Sequence, residues 1–199
     1  MTAANRAKEM VQQILAFSRQ SETEKKPVRV QSIVREAIKL LKSVIPATIE
    51  IRQNIDPDAG HVLADPTQIH QIIMNLATNA YHAMEKSGGT LELTLRQEET
   101  DDDDLNISSD IRSGTYIRLT MSDSGHGMSK AVTEKIFDPY FTTKEIGKGS
   151  GMGLAVVHGI VKNHGGAITV DSQPGKGSVF TIRLPAITEK PASKIRTRA

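Results

Sequence analysis

The sequence contains no cysteine, which excludes disulfide bonds and thiolate metal sites and fits a reducing compartment. It also contains no tryptophan, and aromatic residues make up only 4% of the 199 residues, so the core must be mainly aliphatic. No apolar run approaches the roughly 18–20 residues that a membrane-spanning helix needs. The N-terminus lacks the apolar segment of a secretion signal. We therefore expect a cytoplasmic chain without direct membrane contact.

The chain also lacks a large net charge of either sign. The chain has 25 Lys and Arg and 23 Asp and Glu, a formal net charge of +2. A dedicated nucleic-acid surface would need clustered Lys and Arg, so we expect no nucleic-acid partner. Residues 98–110 are instead acidic and include four consecutive aspartates at 101–104. Because this segment lacks the spaced oxygens and the turn glycine of an EF-hand loop, we interpret it as a solvated hairpin loop.

The N-terminal segment has a helical pattern. Residues 2–20 place apolar side chains at alternating spacings of four and three, at Ala3, Ala7, Met10, Ile14 and Phe17. The seam covers fewer than three heptads, so it fits either a coiled coil or a helix packed on its own domain. The polar residues 21–26 and then Pro27 end the helix and indicate a linker.

The rest of the chain alternates between helical and extended patterns. Asp65 and Pro66 suit the N-cap and first position of a long helix that runs to about Lys86, and Ser32 is the predicted cap of an earlier helix. A further helix is predicted at 154–163, and strands at 28–30, 49–55, 61–63, 91–95, 116–121, 167–171 and 178–184. This order predicts an α+β domain with an antiparallel-looking sheet on one side and helices on the other.

The run from Met121 to Leu154 concentrates the residues that indicate a ligand. Asp123 precedes two glycines, and four more glycines then recur at every second position from 147 to 153. Alternate glycines directly before a helix indicate a backbone that approaches a ligand closely and offers amide N–H groups to an anion. The carboxylate could hold an amine at the other end of the same ligand. An anion at one end and an amine at the other indicate a nucleotide.

These glycines do not match the common phosphate loops. No Gly-Lys pair is followed by Ser or Thr, as in a Walker A loop, and the dinucleotide and protein-kinase spacings are absent. A flexible linker is the alternative, although the apolar Ile146 and Met152 and the direct helical continuation count against it. Charge and hydroxyl donors for phosphates could come from Lys144, Lys148, Thr142 and Thr143.

The helix that starts at Pro66 has a polar ridge. Gln71, Asn75, Asn79 and His82 recur at spacings of four, four and three and therefore share one face. Asn79 could offer an amide oxygen to Mg²⁺, which binds few protein oxygens besides ligand phosphates. Asp123 could accept a hydrogen bond from the exocyclic amine of adenine. The alternatives are a plain polar surface for the ridge and an ordinary Asp-Ser-Gly turn at Asp123.

Together, these residues resemble the ATP-binding catalytic domain of sensor histidine kinases, in the superfamily that includes type II topoisomerase ATPase subunits and mismatch-repair ATPases. The resemblance covers roughly residues 28–185. Segments similar to the family's N box, first glycine box, F box, second glycine box and third glycine box occur in family order at 75–80, 123–127, 137–144, 149–154 and 175–181. The Phe-Asp-Pro-Tyr-Phe-Thr-Thr-Lys form of the F box is similar to that of nitrogen-regulatory and hybrid sensor kinases.

The resemblance implies a two-layer α/β sandwich, with a mixed sheet packed on helices and one long helix before it. It implies ATP and Mg²⁺ as cofactors, with adenine on Asp123, the metal on Asn79 and residues 138–150 as a mobile lid. The nucleotide-binding residues that it implies are Asn75, Asn79, His82, Asp123, Gly125, Gly127, Met128, Phe141, Thr142, Thr143, Lys144, Gly149, Ser150, Gly151, Met152, Gly153, Leu154 and Thr181.

The family's phospho-acceptor histidine is followed by an acidic residue, and none of the six histidines here has such a neighbour. Residues 2–20 instead resemble the second dimerisation helix. We therefore expect a fragment, with a partial dimerisation helix at 1–22, the ATP-binding catalytic domain at 23–187 and a tail or truncated linker at 188–199. It should bind ATP or ADP without phosphorylating itself, because the acceptor histidine is absent.

In the intact protein, the resemblance implies a homodimer that donates the ATP γ-phosphoryl group to a histidine on the missing helix and then, in a phosphorelay, to a response regulator. The intact protein could be attached to a membrane even though this segment is not. Two other interpretations stay open. One is an ATPase or serine kinase of the same superfamily, and the other is a non-catalytic adaptor that docks a response regulator through residues 2–20.

Overall fold

The computed structural model describes residues 24–100, 112–144 and 149–187. In chain order, the elements of this part are β1 (Lys26–Val28), α1 (Val30–Val44), β2 (Ile49–Ile55), β3 (His61–Ala64), α2 (Pro66–Met84), β4 (Gly89–Thr100), β5 (Gly114–Asp123), α3 (Lys130–Thr133), α4 (Gly153–Asn163), β6 (Ala167–Gln173) and β7 (Gly177–Ile187). The predicted helix at 2–20, the aspartates at 101–104, the glycine and lysine at 147–148 and the tail from 188 lie outside the described residues.

The strands form a mixed sheet in the order β1-β3-β7-β5-β4-β2, and β6 also pairs with β7. β2 runs parallel to β4, whereas the other pairings among the described strands are antiparallel. The two predicted strands on either side of the acidic segment are partners, with Leu93 opposite Met121. Because β5 lies between β4 and β7, its last residue, Asp123, is opposite Ser178 of β7.

An aliphatic core lies between one face of the sheet and the helices. Leu91, Leu93 and Leu95 alternate along β4 and are completely buried, as are Ile69 and Ile73 of α2. Helix α2 packs against both α1 and α4. The predicted α+β class is confirmed. None of the helices in the described part of the chain combines the length and the apolar composition that a membrane crossing requires.

Helix α2 begins where the sequence predicts. The Oδ1 atom of Asp65 accepts the N–H of Thr67 at 2.8 Å, and Pro66 occupies the first turn, where its missing N–H has no consequence. The helix ends at Met84, slightly before the predicted end. Gly88 has a φ of 66° and donates its N–H to the carbonyl oxygen of Met84 at 2.8 Å, which closes the last turn.

Helix α1 begins earlier than predicted, and Ser32 is not its cap. Arg29 is the N-cap residue, without a side-chain hydrogen bond, and Ser32 lies in the first turn. Val30 is 1% exposed and packs in the core with Val34, at helical spacing. Burial of Val30 therefore determines the start of this helix, and the strand predicted at 28–30 lies at Lys26–Val28 instead.

Candidate functional site

A pocket of about 420 Å³ opens between α2, the end of β5, the start of β7 and the first turn of α4. Its volume is that of a small-molecule site. It brings together sixteen of the residues predicted from the sequence, namely Asn75, Asn79, His82, Asp123, Gly127, Met128, Phe141, Thr142, Thr143, Lys144, Gly149, Ser150, Gly151, Met152, Gly153 and Leu154.

Asp123 lines the pocket as the last residue of β5 and is only 7% exposed. Its Oδ1 atom accepts the N–H of Gly125 at 2.9 Å, which fixes the carboxylate. Burial raises the pKa of Asp123, whereas backbone hydrogen bonds from Gly125 and Ser178 and the nearby His126 act to lower it. A buried carboxylate at a pocket wall is an acceptor for a donor group on a ligand.

The loop after Asp123 packs tightly against the turn between β6 and β7. Gly127 has a φ of 63°, and a Cβ atom there would lie 1.9 Å from the carbonyl oxygen of Gln173. The carbonyl oxygen of His126 accepts the N–H of Gly175 at 2.7 Å. The position of the carboxylate-bearing end of β5 therefore depends on both loops.

The polar ridge of α2 faces the pocket rather than bulk water. Gln71, Asn75, Asn79 and His82 all line the pocket wall. The Nδ2 atom of Asn75 donates to the carbonyl oxygen of Gly153 at 3.2 Å, which connects α2 to the first residue of α4. The ridge therefore belongs to the pocket and also positions the neighbouring helix.

Helix α4 begins at the pocket without a side-chain cap. Its N-cap residue, Met152, makes no side-chain capping hydrogen bond. The Oγ atom of Ser150 accepts the N–H of Met152 at 3.3 Å. The first amide N–H groups of a helix have no acceptor within the helix and form the positive end of its dipole. This end of the pocket therefore suits an anion.

Lys144 and His82 both line the pocket and lie close enough to influence each other's charge. The Nζ atom of Lys144 donates to Oδ1 of Asn79 at 3.2 Å. Burial lowers the pKa of Lys144, and Glu85 opposes this effect. Burial and then the charge of Lys144 lower the pKa of His82 below its usual 6.5, whereas Glu85 raises it. Burial and Lys144 thus favour the neutral form of His82.

Two predicted residues do not line the pocket. Gly125 is buried under α2, where a Cβ atom would lie 2.6 Å from the Cβ atom of Ala83. Thr181 lies on the outer face of β7, opposite Thr120 of β5, because successive residues of a strand alternate between the two faces. Its neighbour Phe180 reaches the pocket instead.

Several other residues line the pocket without having been predicted from the sequence, including Ser178, Phe180, Ile136, Val132 and His126. Ser178 reaches the site because the sheet register places it opposite Asp123, and a sequence does not state that register. Phe180, Ile182 and Leu184 are apolar at every second position of β7, and this period is the local signal that could have indicated the inward face. Phe180 and Ile136 add an apolar surface against which a flat base could lie.

The chain is similar to known proteins over most of its length. Residues 64–188 match a family model described as histidine kinase-, DNA gyrase B-, and HSP90-like ATPase. The sensor kinase CckA of Brucella abortus (strain 2308) is 38% identical over 187 residues, which are 94% of this chain and 20% of CckA. The chain therefore spans a fifth of the length of this relative.

Solved structures of the histidine kinase ThkA have a similar fold. Its nucleotide-free catalytic domain aligns with a TM-score of 0.66 and 28% identity, over 82% of this chain and 96% of that chain. The complex of ThkA with the response regulator protein TrrA aligns with a TM-score of 0.70 and 26% identity, over 94% of this chain and 49% of that chain.

Proposed function

Because the chain belongs to the family of histidine kinase-, DNA gyrase B- and HSP90-like ATPases, we propose that it is the ATP·Mg²⁺-binding catalytic domain of a two-component sensor histidine kinase. The observation that supports this most is that two different polar features line one pocket. The carboxylate of Asp123 is buried in its wall, and the first turn of α4, at Gly153, has no side-chain cap from its N-cap residue. These features suit the amine of adenine and the phosphates, respectively.

At the base end, Asp123 would accept a hydrogen bond from the exocyclic amine of adenine. The apolar side chains of Phe180, Ile136 and Met128 line the same pocket and would contact the base. Guanine would instead present a carbonyl oxygen to the carboxylate, and two acceptors cannot form a hydrogen bond. The site should therefore prefer adenine nucleotides to guanine nucleotides.

At the phosphate end, the amides of the first turn of α4 and the hydroxyls of Thr142 and Thr143 would bind phosphate oxygens, and Lys144 would supply charge. Phosphoryl transfer passes through a transition state with charge spread over the transferred group, so such donors act by positioning and by electrostatic stabilisation. His82, whose pKa is lowered by burial and by Lys144, would take part as a hydrogen-bonding group.

Asn79 would hold Mg²⁺. The fit rests on its Oδ1 atom, which already accepts a hydrogen bond from a cation, Lys144, at 3.2 Å. The described residues contain no group of three or more His, Cys, Asp or Glu that could hold a metal ion. The other ligands would therefore be phosphate oxygens and water, which Mg²⁺ favours. When bound, Mg²⁺ would neutralise part of the phosphate charge.

The phospho-acceptor histidine and its general base are proposed to lie elsewhere in the intact protein, because none of the six histidines precedes an acidic residue. We propose an intact homodimer of the nitrogen-regulatory or hybrid type, with residues 2–20 as part of the dimerisation hairpin and this domain in the cytoplasm. The ThkA–TrrA complex supports a response regulator as the downstream partner.

Calorimetry with ADP and MgCl₂ tests nucleotide binding. The wild-type chain should bind ADP, and Asp123→Asn should weaken the affinity at least about tenfold, because the amide replaces an acceptor with a donor at the adenine amine. Asp171→Asn makes the same chemical change at an exposed residue of β6 and should leave the affinity unchanged. Wild-type protein that releases no heat with millimolar ADP would overturn the proposal.

Phosphoryl transfer is tested with ATP labelled at the γ-phosphate. The chain alone should remain unlabelled, and a separately supplied dimerisation hairpin with its histidine should acquire an acid-labile phosphate. An acid-stable phosphate on the partner would indicate a serine kinase instead. Steady hydrolysis of ATP without a partner would indicate an ATPase.

A further inference from the structure

The side chain of Lys144 turns into the pocket instead of extending into water. Its backbone N–H donates to the Oγ1 atom of Thr142 at 3.2 Å, and its ammonium group reaches Oδ1 of Asn79, also at 3.2 Å. The aliphatic part of the side chain passes over Gly149. A Cβ atom on Gly149 would lie 3.0 Å from Cδ of Lys144 and 3.1 Å from Oγ1 of Thr142. The path of the lysine therefore depends on one of the glycines predicted to approach a ligand.

This position places a cation where the proposed function needs one. An ammonium group loses hydration when it is buried. Here a hydrogen bond to a neutral amide oxygen replaces part of that hydration. Glu85 acts on Lys144 from the end of α2, but its side chain is 57% exposed, so water weakens its effect. The oxygen proposed to hold Mg²⁺ is therefore already engaged by a positive group of the chain itself.

We propose that Lys144 is the internal counter-ion of the phosphate end and that it and Mg²⁺ are alternative partners of Asn79. Without nucleotide, the ammonium group of Lys144 occupies Oδ1 of Asn79. With nucleotide and no metal, Lys144 remains as the cation that balances the phosphates. With nucleotide and metal, Asn79 is released from the lysine. Lys144 therefore sets how strongly nucleotide affinity depends on Mg²⁺, an inference that rests on the proposed function.

The ratio of the ADP dissociation constant in EDTA to that in MgCl₂ tests this proposal. Lys144→Met should raise the ratio roughly tenfold relative to wild type, because metal-free binding loses a charge-assisted hydrogen bond while metal-bound binding is largely retained. Lys135→Met makes the same change at an exposed lysine and should keep the wild-type ratio. A lysine that only adds charge would weaken both affinities equally, and an unchanged ratio in Lys144→Met would overturn the proposal.

A second measurement needs no nucleotide. In ¹⁵N NMR spectra of the lysine ammonium groups, the resonance of Lys144 is identified by its loss in Lys144→Met. Asn79→Ala removes the acceptor oxygen, so this resonance should shift in the nucleotide-free protein. A resonance that does not move would overturn the contact on which the proposal depends. Circular dichroism of both variants checks that each is folded.

The outcomes separate this inference from the proposed function. If the wild-type chain binds ADP in neither buffer, both fail. If it binds ADP and Asp123→Asn weakens that binding, but Lys144→Met leaves the ratio unchanged, only the exchange of cations on Asn79 fails. If the ratio rises in Lys144→Met and the ammonium resonance shifts in Asn79→Ala, both stand.

Discussion

Helices α2 and α4 both line the pocket, and their N-termini differ. Helix α2 begins with Asp65, whose carboxylate accepts the N–H of Thr67 at 2.8 Å, and with Pro66, which has no amide hydrogen. Helix α4 begins at Gly153, directly after its N-cap residue Met152, whose side chain makes no capping hydrogen bond. The first N-terminus is satisfied by its own sequence, whereas the second leaves its amides available to a ligand.

The comparison also limits what an uncapped helix can mean. Helix α1 likewise has no side-chain cap at Arg29, but its first residue, Val30, is 1% exposed and packs in the core. What distinguishes α4 is that its first turn lines a pocket that Lys144 and the buried Asp123 also line. An open helix N-terminus indicates a ligand only together with such surroundings.

The largest expected effect comes from making α4 resemble α2. Met152→Asp would place a carboxylate beside the first turn of α4, where it would repel phosphates. We expect ADP affinity to fall roughly 100-fold, since two charges about 4 Å apart at a protein surface interact by several kcal/mol. The backbone of Met152 is helical (φ −99°, ψ −21°), unlike the extended backbone of Asp65, so we expect no gain in stability from a cap. Calorimetry measures the affinity.

Two further substitutions at the same position separate the charge from the loss of the methionine side chain. Met152→Leu keeps an apolar side chain and should bind ADP like wild type. Met152→Asn is similar in size to aspartate but carries no charge, so its affinity should fall between those of the other two. If Met152→Asp binds ADP as tightly as Met152→Leu, the first turn of α4 is not the phosphate site, and the contrast with α2 has no functional meaning.

A smaller effect is expected at the N-terminus of α2. Asp65→Ala removes the cap and should lower the free energy of unfolding by about 1 kcal/mol in urea denaturation. The ADP affinity of the folded protein should stay unchanged, because this carboxylate bonds to Thr67 within its own helix. Asp58→Ala, at an exposed loop residue, should change neither quantity. A loss of ADP affinity in Asp65→Ala would show that the two N-termini are not functionally distinct.

The fold could be predicted where the deciding contacts are local. Asp65 and Pro66 determine the start of α2 within a few residues of chain, so the sequence identifies it correctly. Ser32 satisfies the same local rule, but burial of Val30 in the core sets the start of α1. The parallel pairing of β2 with β4 could not be foreseen, because periodicity identifies a strand but not its neighbour.

The site follows the same division. The spacing of Asn75 and Asn79 along one helix is enough to place both on the pocket wall. The choice between Thr181 and Phe180 depends on which face of β7 looks toward α2, and packing across the whole sheet decides that. The hydrogen bond between Lys144 and Asn79 joins residues that are distant in sequence, and spacing alone cannot reveal it.

The two helices are also joined away from the pocket, through His164 at the end of α4. This residue is 8% exposed. Its Nδ1 atom hydrogen-bonds with the carbonyl oxygen of Ile160 at 2.8 Å, and its Nε2 atom accepts the N–H of Asp65 at 3.2 Å. Nδ1 must therefore carry a proton and Nε2 must not, so this arrangement requires a neutral ring.

Protonation of His164 should produce the smallest of the expected effects. Burial lowers its pKa most, the hydrogen bond to Ile160 opposes this, and Lys25 and Asp65 have smaller effects of opposite sign. Because the folded pKa is below the ordinary 6.5, the unfolded chain binds the proton first as the pH falls. The stabilisation from neutral His164 is therefore complete above pH 6.5 and decreases from there toward the folded pKa.

Urea denaturation at a series of pH values tests this link between the two helices. His164→Gln should lower the free energy of unfolding by about 1 kcal/mol at neutral pH and should flatten its decrease below pH 6.5. Asp123, whose pKa is raised, contributes a slope of the opposite sign, but that slope is common to both proteins and cancels in their difference. His82→Gln is the control, because it removes the other described histidine whose pKa is lowered. It should leave the pH dependence contributed by His164 intact. Equal slopes for wild type and His164→Gln would mean that the hydrogen bond between Asp65 and His164 does not depend on a neutral ring.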